Sequence, residues 1–284
     1  NMDFPGFNGS VRGSVADGNG GWYVGGTFNN YDGVASNALV HVLSNKTIDA
    51  GFTVNLSGGQ VYALFKKGNN LYLGGSFTVV NGSSRSYIAM VNATTGVLNS
   101  FNPSANSYVH ALYVDDVDNI YAGGQFTVIG GKNRSYFAVI EKASATALNG
   151  YATVNSHVYA IEKYGDTLFL GGAFTQTGFN TSYLSLLGQS DDLPDADFPV
   201  TNGQVYSIIP DGNGGWYVGG SFTVIGGVSK SYAARITASK NVDGSFTANC
   251  NSTVQTLHLI GNRLYLGGSF TSVNGTTRNY AAAV

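Results

Sequence analysis

The chain of 284 residues has little charge, one cysteine and no long apolar run. Charged residues make up 11% and the net charge is −2, which excludes the basic surface that binding to nucleic acid or anionic membranes requires. A single cysteine, Cys250, excludes an internal disulfide framework and a cysteine-based structural zinc site, and is expected in a loop. Because no stretch approaches the roughly 18 apolar residues of a membrane-spanning helix, we predict no membrane insertion.

The composition predicts a chain that works outside the cell. Apolar residues amount to 43%, enough for a core, so the weakly charged surface must consist mainly of Gly, Ser, Thr, Asn and Tyr. The sequence starts at Asn1 without the charged and apolar regions of a secretory leader. We therefore expect a mature or excised soluble piece of a longer protein, either secreted or at the cell surface.

One short phrase recurs six times. Its second copy is Leu71-Tyr-Leu-Gly-Gly-Ser-Phe77, and the spacing between successive copies is 48 or 49 residues. The Gly-Gly pairs begin at Gly25, Gly74, Gly123, Gly171, Gly219 and Gly267. A period this regular indicates stacked, equivalent units.

The residue pattern within each unit predicts four short strands and no helix. In the second copy these are Val61–Phe65, Leu71–Phe77, Arg85–Val91 and Val97–Phe101, separated by turn residues about every twelve positions. The Gly-Asn turn between the first two strands is typical of a hairpin. One repeat is therefore predicted to be a four-stranded antiparallel meander.

Six such meanders predict an all-β fold, a single six-bladed β-propeller over residues 1–284. The last copy ends after its third strand, and Met2-Asp-Phe-Pro5 matches Ala196-Asp-Phe-Pro199, the fourth strand that precedes copy five. We therefore expect the N-terminal segment to complete the last blade and close the ring, which removes an exposed sheet edge.

The most regular residues are expected to be architectural. The paired glycines interrupt a strand where side chains would obstruct a neighbour, which predicts blade-to-blade packing and a local bulge. In the third strand a tyrosine recurs, usually two positions after an arginine or lysine, and both are expected to fill the space between blades. The tyrosines are Tyr87, Tyr136, Tyr183, Tyr232 and Tyr280, and the cations are Arg85, Arg134, Lys230 and Arg278.

The full pattern is Leu-Tyr-Leu-Gly-Gly-Ser-Phe-Thr, Asn-Gly, Arg-x-Tyr-x-Ala and Thr-Gly-x-Leu. It resembles the delta-60 type propeller repeats of large bacterial surface and secreted proteins and, more distantly, kelch repeats. The resemblance covers all six units and implies an extracellular, adhesion-like setting, without a catalytic motif to transfer. Copies one and four depart from it between their second and third strands, at 29–36 and 176–181, so these loops are candidates for contact with a partner.

The copies differ most along the first strand, which lines the channel in propellers. Two variable positions flank a recurring valine there, and together they offer aromatic rings and neutral hydrogen-bonding groups that suit a sugar. The candidate ligand-binding residues are Arg12, Gln60, Tyr62, Tyr108, His110, His157, Tyr159, Gln204, Tyr206 and Gln255. The two positions are expected to point to opposite faces of the strand. The competing interpretation is ordinary packing between blades.

Candidates for other chemistry are few. His110 and His157 start neighbouring first strands and offer copper or zinc ligands. The stretches Asp115–Asp118 and 191–197 offer oxygen ligands for calcium, although the EF-hand pattern is absent. We predict no cofactor, and solvated turns at both acidic stretches.

Three functions remain open. The leading hypothesis is a recognition or adhesion module without enzymatic activity that binds a glycan or a cell-surface protein through the channel mouth. The alternatives are a ligand-free structural propeller, including self-association through flanking regions, and an enzyme acting on polysaccharide, which would need a pair of carboxylates in the channel.

Nine Asn-x-Ser/Thr sites occur, which matter only in a eukaryotic secretory pathway. They are Asn8, Asn45, Asn55, Asn81, Asn92, Asn133, Asn180, Asn251 and Asn274.

Overall fold

The computed structural model describes residues 6–149, 151, 153–164, 167–176, 184–187 and 198–284. Within these residues every regular element is a β-strand, and no helix is long and apolar enough to cross a membrane. The chain forms two compact units, Asn1–Asn149 and Gly150–Val284.

The first unit contains seventeen strands among its described residues. They are β1 (Val11–Ala16), β2 (Trp22–Gly26), β3 (Asn30–Tyr31), β4 (Val34–Ala35), β5 (Leu39–Val42), β6 (Leu56–Ser57), β7 (Val61–Lys67), β8 (Asn70–Gly75), β9 (Val79–Val80), β10 (Ser83–Ser84), β11 (Ile88–Asn92), β12 (Val109–Val114), β13 (Asn119–Gly124), β14 (Val128–Ile129), β15 (Lys132–Asn133), β16 (Phe137–Glu141) and β17 (Thr146–Ala147).

The second unit contains thirteen strands among its described residues. They are β18 (Val158–Tyr164), β19 (Thr167–Gly172), β20 (Leu184–Leu187), β21 (Val205–Pro210), β22 (Trp216–Gly220), β23 (Val224–Ile225), β24 (Val228–Ser229), β25 (Ala233–Ile236), β26 (Val254–Ile260), β27 (Arg263–Gly268), β28 (Ser272–Val273), β29 (Thr276–Thr277) and β30 (Ala281–Ala283).

Each repeat builds one antiparallel sheet in which its second long strand lies between the first and the third. Sheets 1 to 3 are β1-β2-β5, β7-β8-β11 and β12-β13-β16-β17. Sheets 4 to 6 are β18-β19-β20, β21-β22-β25 and β26-β27-β30. The first strands β1, β7 and β12 are neighbours in the first unit, and β18, β21 and β26 are neighbours in the second.

The predicted fourth strand is wrong as an extended element in most described repeats. It is a two-residue strand in sheet 3, and a single bridge in others, such as Val91 with Leu98. The predicted third strand begins late, at Ile88, because a separate small hairpin, β9 with β10, ends at Ser84 and the positive φ of Tyr87 interrupts extended backbone before Ile88. The sequence pattern did not separate this hairpin from its neighbours because its strands are only two residues long.

The first glycine of the pair packs one sheet against the next within a unit. A Cβ on Gly25 or Gly74 would lie 2.5 or 2.8 Å from the Cγ1 atom of Val61 or Val109, which start the next sheet. Gly171 and Gly219 meet Val205 and Val254 in the same way, at 2.6 and 2.7 Å. The predicted packing role is confirmed at these four glycines.

The second glycine makes room for the backbone at a bulge. At Gly75 an added Cβ would collide with the Gln60 carbonyl oxygen, which accepts a hydrogen bond from the Ser76 amide. The register of β7 and β8 shifts at the next residues, Val61 to Ala63. The same shift occurs in all six sheets, so the predicted bulge is confirmed.

The recurring tyrosines enter the third strand in the left-handed backbone region. Tyr87, Tyr136 and Tyr232 have φ of 67° to 68°, which is rare for a bulky residue. Tyr87 packs on the core of sheet 3, and its ring lies 5.8 Å from that of Tyr108. Packing against the next sheet, as predicted for Tyr87, offsets this backbone strain.

The structure contains an asparagine clamp that the sequence pattern did not predict. In repeat 3 the Oδ1 atom of Asn106 accepts hydrogen bonds from the amides of Thr127 and Val128, at 2.8 and 3.0 Å, and so fixes the small hairpin. The equivalent residues Asn8, Asn155, Asn202 and Asn251 make the same pair of bonds. Recurrence of asparagine at the repeat period was the available signal.

Candidate functional site

The candidate residues of the first unit meet in one aromatic cluster. The ring of Tyr62 on β7 stacks on the ring of His110 on β12, with centroids 5.1 Å apart and planes 18° from parallel. Tyr108 lies edge-on to both rings, at 6.0 and 6.2 Å. Tyr108 is 39% exposed, whereas Tyr62 and His110 are half-buried. We call Tyr62, Tyr108 and His110 the first aromatic cluster.

The candidate residues of the second unit form an analogous group. His157 Nδ1 and the Tyr159 hydroxyl are hydrogen-bonded at 3.1 Å, and the Tyr206 hydroxyl donates to Gln204 Oε1. The rings of Tyr159 and Tyr206 lie 5.4 Å apart. Burial and, to a smaller extent, the neighbouring Tyr206 raise the pKa of Tyr159, so its hydroxyl stays a neutral donor. We call these four residues the second aromatic cluster.

The expectation that the two variable positions face opposite sides of the strand is wrong. His157 contacts Tyr159, Gln204 contacts Tyr206, and Tyr108 contacts His110, so the two positions share a face. The physical reason is that they are two residues apart, on either side of the valine, and side chains two apart on a strand point the same way.

The three remaining candidates belong to repeats 1, 2 and 6. Arg12 on β1 and Gln255 on β26 are exposed, and Gln60 before β7 is half-buried. None of the three side chains has a hydrogen bond or ring contact in the described part of the chain that would join it to either aromatic cluster. The structure thus joins seven of the ten candidates into two groups.

The acidic stretch in repeat 3 makes hydrogen bonds and ion pairs with other residues of the chain. Asp115 accepts hydrogen bonds from the Val117 and Asn119 amides, and Asp118 pairs with Lys67 and Lys142 at 2.7 and 2.9 Å. The side-chain bonds from these lysines lower the pKa of Asp118. The second acidic stretch, 191–197, and the N-terminal segment 2–5 lie outside the described residues.

The first strands supply one carboxylate within the described residues, that of Glu162 on β18. Burial raises its pKa to about 7. Among the described residues, no group of three or more His, Cys, Asp or Glu side chains is arranged so that it could hold a metal ion.

A second polar centre lies at the hairpin between the first two strands of repeats 1 and 5. His41 is hydrogen-bonded through both ring nitrogens, Nε2 with Asp17 Oδ2 at 3.1 Å and Nδ1 with Asp49 Oδ2 at 2.8 Å. In repeat 5 Arg235 bridges Asp211 and Asp243 at 2.6 and 3.0 Å. Sequence analysis missed this centre, although the close match between copies one and five was visible.

Repeats 1 and 5 also carry the similarity to a known family. A family model described as "Domain of unknown function (DUF5122) beta-propeller" matches residues 18–52 and 212–252, which fall in these two repeats. The match in these two repeats supports a β-propeller fold, whereas the delta-60 and kelch features remain resemblances. No curated protein matches the chain.

Solved structures agree with the fold at low sequence identity. The extracellular domain of a putative one-component system from B. thetaiotaomicron has a TM-score of 0.58 and 12% identity, over 92% of this chain and 32% of that one. The chain therefore spans about a third of that domain. The WD40 repeats of RRP9 have a TM-score of 0.57 and 11% identity, over 99% of this chain and 95% of that one. The computationally designed protein Ika8 has a TM-score of 0.52 and 13% identity, over 96% of this chain and 74% of that one.

Proposed function

We propose that this chain is an extracellular recognition module whose aromatic clusters bind a glycan on a cell surface or in a secreted polymer. The observation that carries the proposal is the pairing of half-buried aromatic rings with neutral hydrogen-bonding groups on the shared face of the first strands. Aromatic faces pack on the C–H faces of a sugar, and the hydroxyl, amide and imidazole groups bond its hydroxyls.

The setting supports an extracellular role. One structural neighbour is an extracellular domain, and the low charge and abundance of Tyr, Asn, Ser and Gly are typical of adaptable binding surfaces. We further propose that the six sheets are the blades of one ring, with residues 2–5 completing the last blade. Removing residues 1–5 should then lower the melting temperature by about 5 °C or more. An unchanged melting temperature would contradict closure by this segment.

A glycan array followed by titration calorimetry tests the binding proposal. We expect Tyr62→Ala and Tyr206→Ala each to weaken binding about tenfold, because each removes one ring from a cluster. Tyr265→Ala, a change at a 38% exposed tyrosine on β27 outside both clusters, is the matched control. If the array and binding to whole cells are both blank, the recognition proposal fails, and a ligand-free structural propeller becomes the better account.

An enzyme acting on polysaccharide is the remaining alternative. It would need a second carboxylate facing Glu162, since glycosidic bond cleavage ordinarily uses a pair. Loss of polysaccharide hydrolysis in Glu162→Gln would favour it over the binding module.

A further inference from the structure

Repeat 1 lacks a cation that other repeats use to hold their outer connection. At the position after the small hairpin, Arg85 donates from Nη2 to the Asn99 carbonyl oxygen at 2.9 Å, and Arg134 donates to that of Leu148. In repeat 5 Lys230 Nζ donates to the carbonyls of Gly244 and Phe246, at 3.3 and 2.6 Å.

The corresponding residue in repeat 1 is Ser36. Its backbone is placed as in the other repeats, since the Ser36 amide donates to the Asn29 carbonyl at 2.9 Å, as Arg85 does to Thr78. The serine side chain is too short to reach the carbonyl oxygens of Ala50 and Phe52, which correspond to those of Gly244 and Phe246. No hydrogen bond within the described residues reaches either oxygen.

A cavity lies beside Ser36. It has a volume of about 370 Å³ and is also lined by Asn37, His41, Asp49, Ala50 and Phe52. Ser36 itself is only 9% exposed. Because the carbonyl oxygens of Ala50 and Phe52 accept no hydrogen bond from the described residues, a donor placed in this cavity beside them would be stabilised.

The charged side chains of repeats 1 and 5 indicate which kind of ligand the cavity would bind. In repeat 5 two carboxylates, Asp211 and Asp243, accompany two cations, Arg235 and Lys230. In repeat 1 the carboxylates of Asp17 and Asp49 contact His41, and Ser36 stands where repeat 5 has Lys230, so the positive charge of that lysine is missing.

We propose that this cavity in repeat 1 binds the cationic end of an unbranched alkyl chain, an ammonium or guanidinium group. The ligand takes the place of the absent arginine or lysine side chain and donates to the carbonyl oxygens of Ala50 and Phe52. Its alkyl portion occupies the volume that the stem of Lys230 fills in repeat 5. This site is separate from the two aromatic clusters and does not depend on the glycan proposal.

Titration of the whole chain with n-butylguanidinium, followed by NMR or calorimetry, tests the site. We expect one equivalent to bind with a dissociation constant of about 1 to 10 mM. The neutral analogue n-butylurea should bind at least about tenfold more weakly, because it lacks the charge. Equal binding of both compounds, or no binding of the cation, would overturn the proposal.

Two substitutions locate the bound cation. Ser36→Arg restores the residue type of repeats 2 and 3 and should abolish binding. Lys230→Ser recreates the repeat 1 arrangement in repeat 5, beside Asp211 and Asp243, and should add a cavity that can take a cation. If Ser36→Arg fails to fold, Ser36→Lys, which copies the residue type of repeat 5, replaces it. Unchanged binding in the folded variant would show that the probe sits elsewhere and overturn the assignment.

The source of the cation is distinguished by a second probe. Nα-acetylarginine amide presents the same guanidinium on a peptide unit. Tighter binding of this compound than of n-butylguanidinium would indicate the side chain of a partner protein, whereas weaker binding would indicate a free alkyl cation. Either result supports a cation site.

Discussion

Repeats 1 and 5 hold the same pair of carboxylates with different side chains between them. Asp17 and Asp49 bind the ring of His41, and Asp211 and Asp243 bind the guanidinium of Arg235. The surroundings also correspond: the ring of Tyr23 stacks on His41 at 4.2 Å, and Arg235 lies over the ring of Tyr217 at 5.9 Å.

The central side chain meets the carboxylates differently in the two repeats. The His41 ring has one carboxylate at each nitrogen, Asp17 at Nε2 and Asp49 at Nδ1. Arg235 donates to Asp211 from both Nε and Nη2 and to Asp243 from Nη1, and its guanidinium is permanently charged. Repeat 5 therefore has one more hydrogen bond at this centre than repeat 1.

Removing the permanent cation should have the largest consequence. Arg235→Met leaves Asp211, whose side chain is 1% exposed, without its charged partner, and should lower the free energy of unfolding by roughly 3 kcal/mol. Urea unfolding at pH 7 measures the change. Arg263→Met, at an exposed residue of the same unit, is the control and should change little. A loss below about 0.5 kcal/mol would show that the pair is not stabilising.

Placing the residue of repeat 5 in repeat 1 should reduce the difference between the repeats. His41→Arg should add a hydrogen bond to Asp17, as Arg235 makes to Asp211, and should raise the free energy of unfolding by about 1 kcal/mol. Urea unfolding measures the change, and His41→Met, which removes both hydrogen bonds to the carboxylates, should have the opposite effect. A loss of stability in His41→Arg would contradict the correspondence between the two centres.

Lys230 offers a smaller contrast. Lys230→Met would leave the carbonyls of Gly244 and Phe246 as those of Ala50 and Phe52 are in repeat 1, and should cost about 1 kcal/mol. Thermal unfolding measures the loss. An addition of n-butylguanidinium should recover part of it, and no recovery would weaken the analogy between the two repeats.

The two repeats should differ least at low pH, where both are expected to behave alike. Burial tends to raise the pKa of Asp17 and of Asp211, but backbone amides and the adjacent cation outweigh it and lower both values. Each group therefore stabilises the fold above its unfolded pKa of about 4, and this contribution is lost as the pH falls through the lower folded value. Asp17→Asn and Asp211→Asn should each flatten the loss of stability between about pH 5 and pH 2. Unequal flattening would show that the two carboxylates are not equivalent.

The sequence predicted what repetition makes visible and missed what depends on single side chains. The all-β fold, the roles of Gly74 and Gly75, and the packing of Tyr87 followed from a pattern that recurs six times. The predicted fourth strand was wrong because in most repeats only one of its residues pairs with the third strand. The strand propensity of a segment does not show how many of its residues will pair with a neighbouring strand.

At the candidate site, the sequence identified residue types better than their directions. Gln204 and Tyr206 share a face because they are two positions apart on the strand, although the sequence analysis expected opposite faces. The cavity at Ser36 could not be predicted from the sequence. Its importance depends on the contacts that Arg85 and Lys230 make at the same position in other repeats, and these contacts are visible only in the structure.

The asparagine clamp has a consequence for producing this protein. Asn8 and Asn251 belong to Asn-x-Ser/Thr sites, and glycans attach to the same Nδ2 atoms that donate here to Asn29 Oδ1 and Thr271 Oγ1, at 2.6 and 2.9 Å. A sugar on either amide would replace one of its two hydrogens and crowd the hairpin that the clamp holds. Expression in a host without N-glycosylation therefore preserves these clamps.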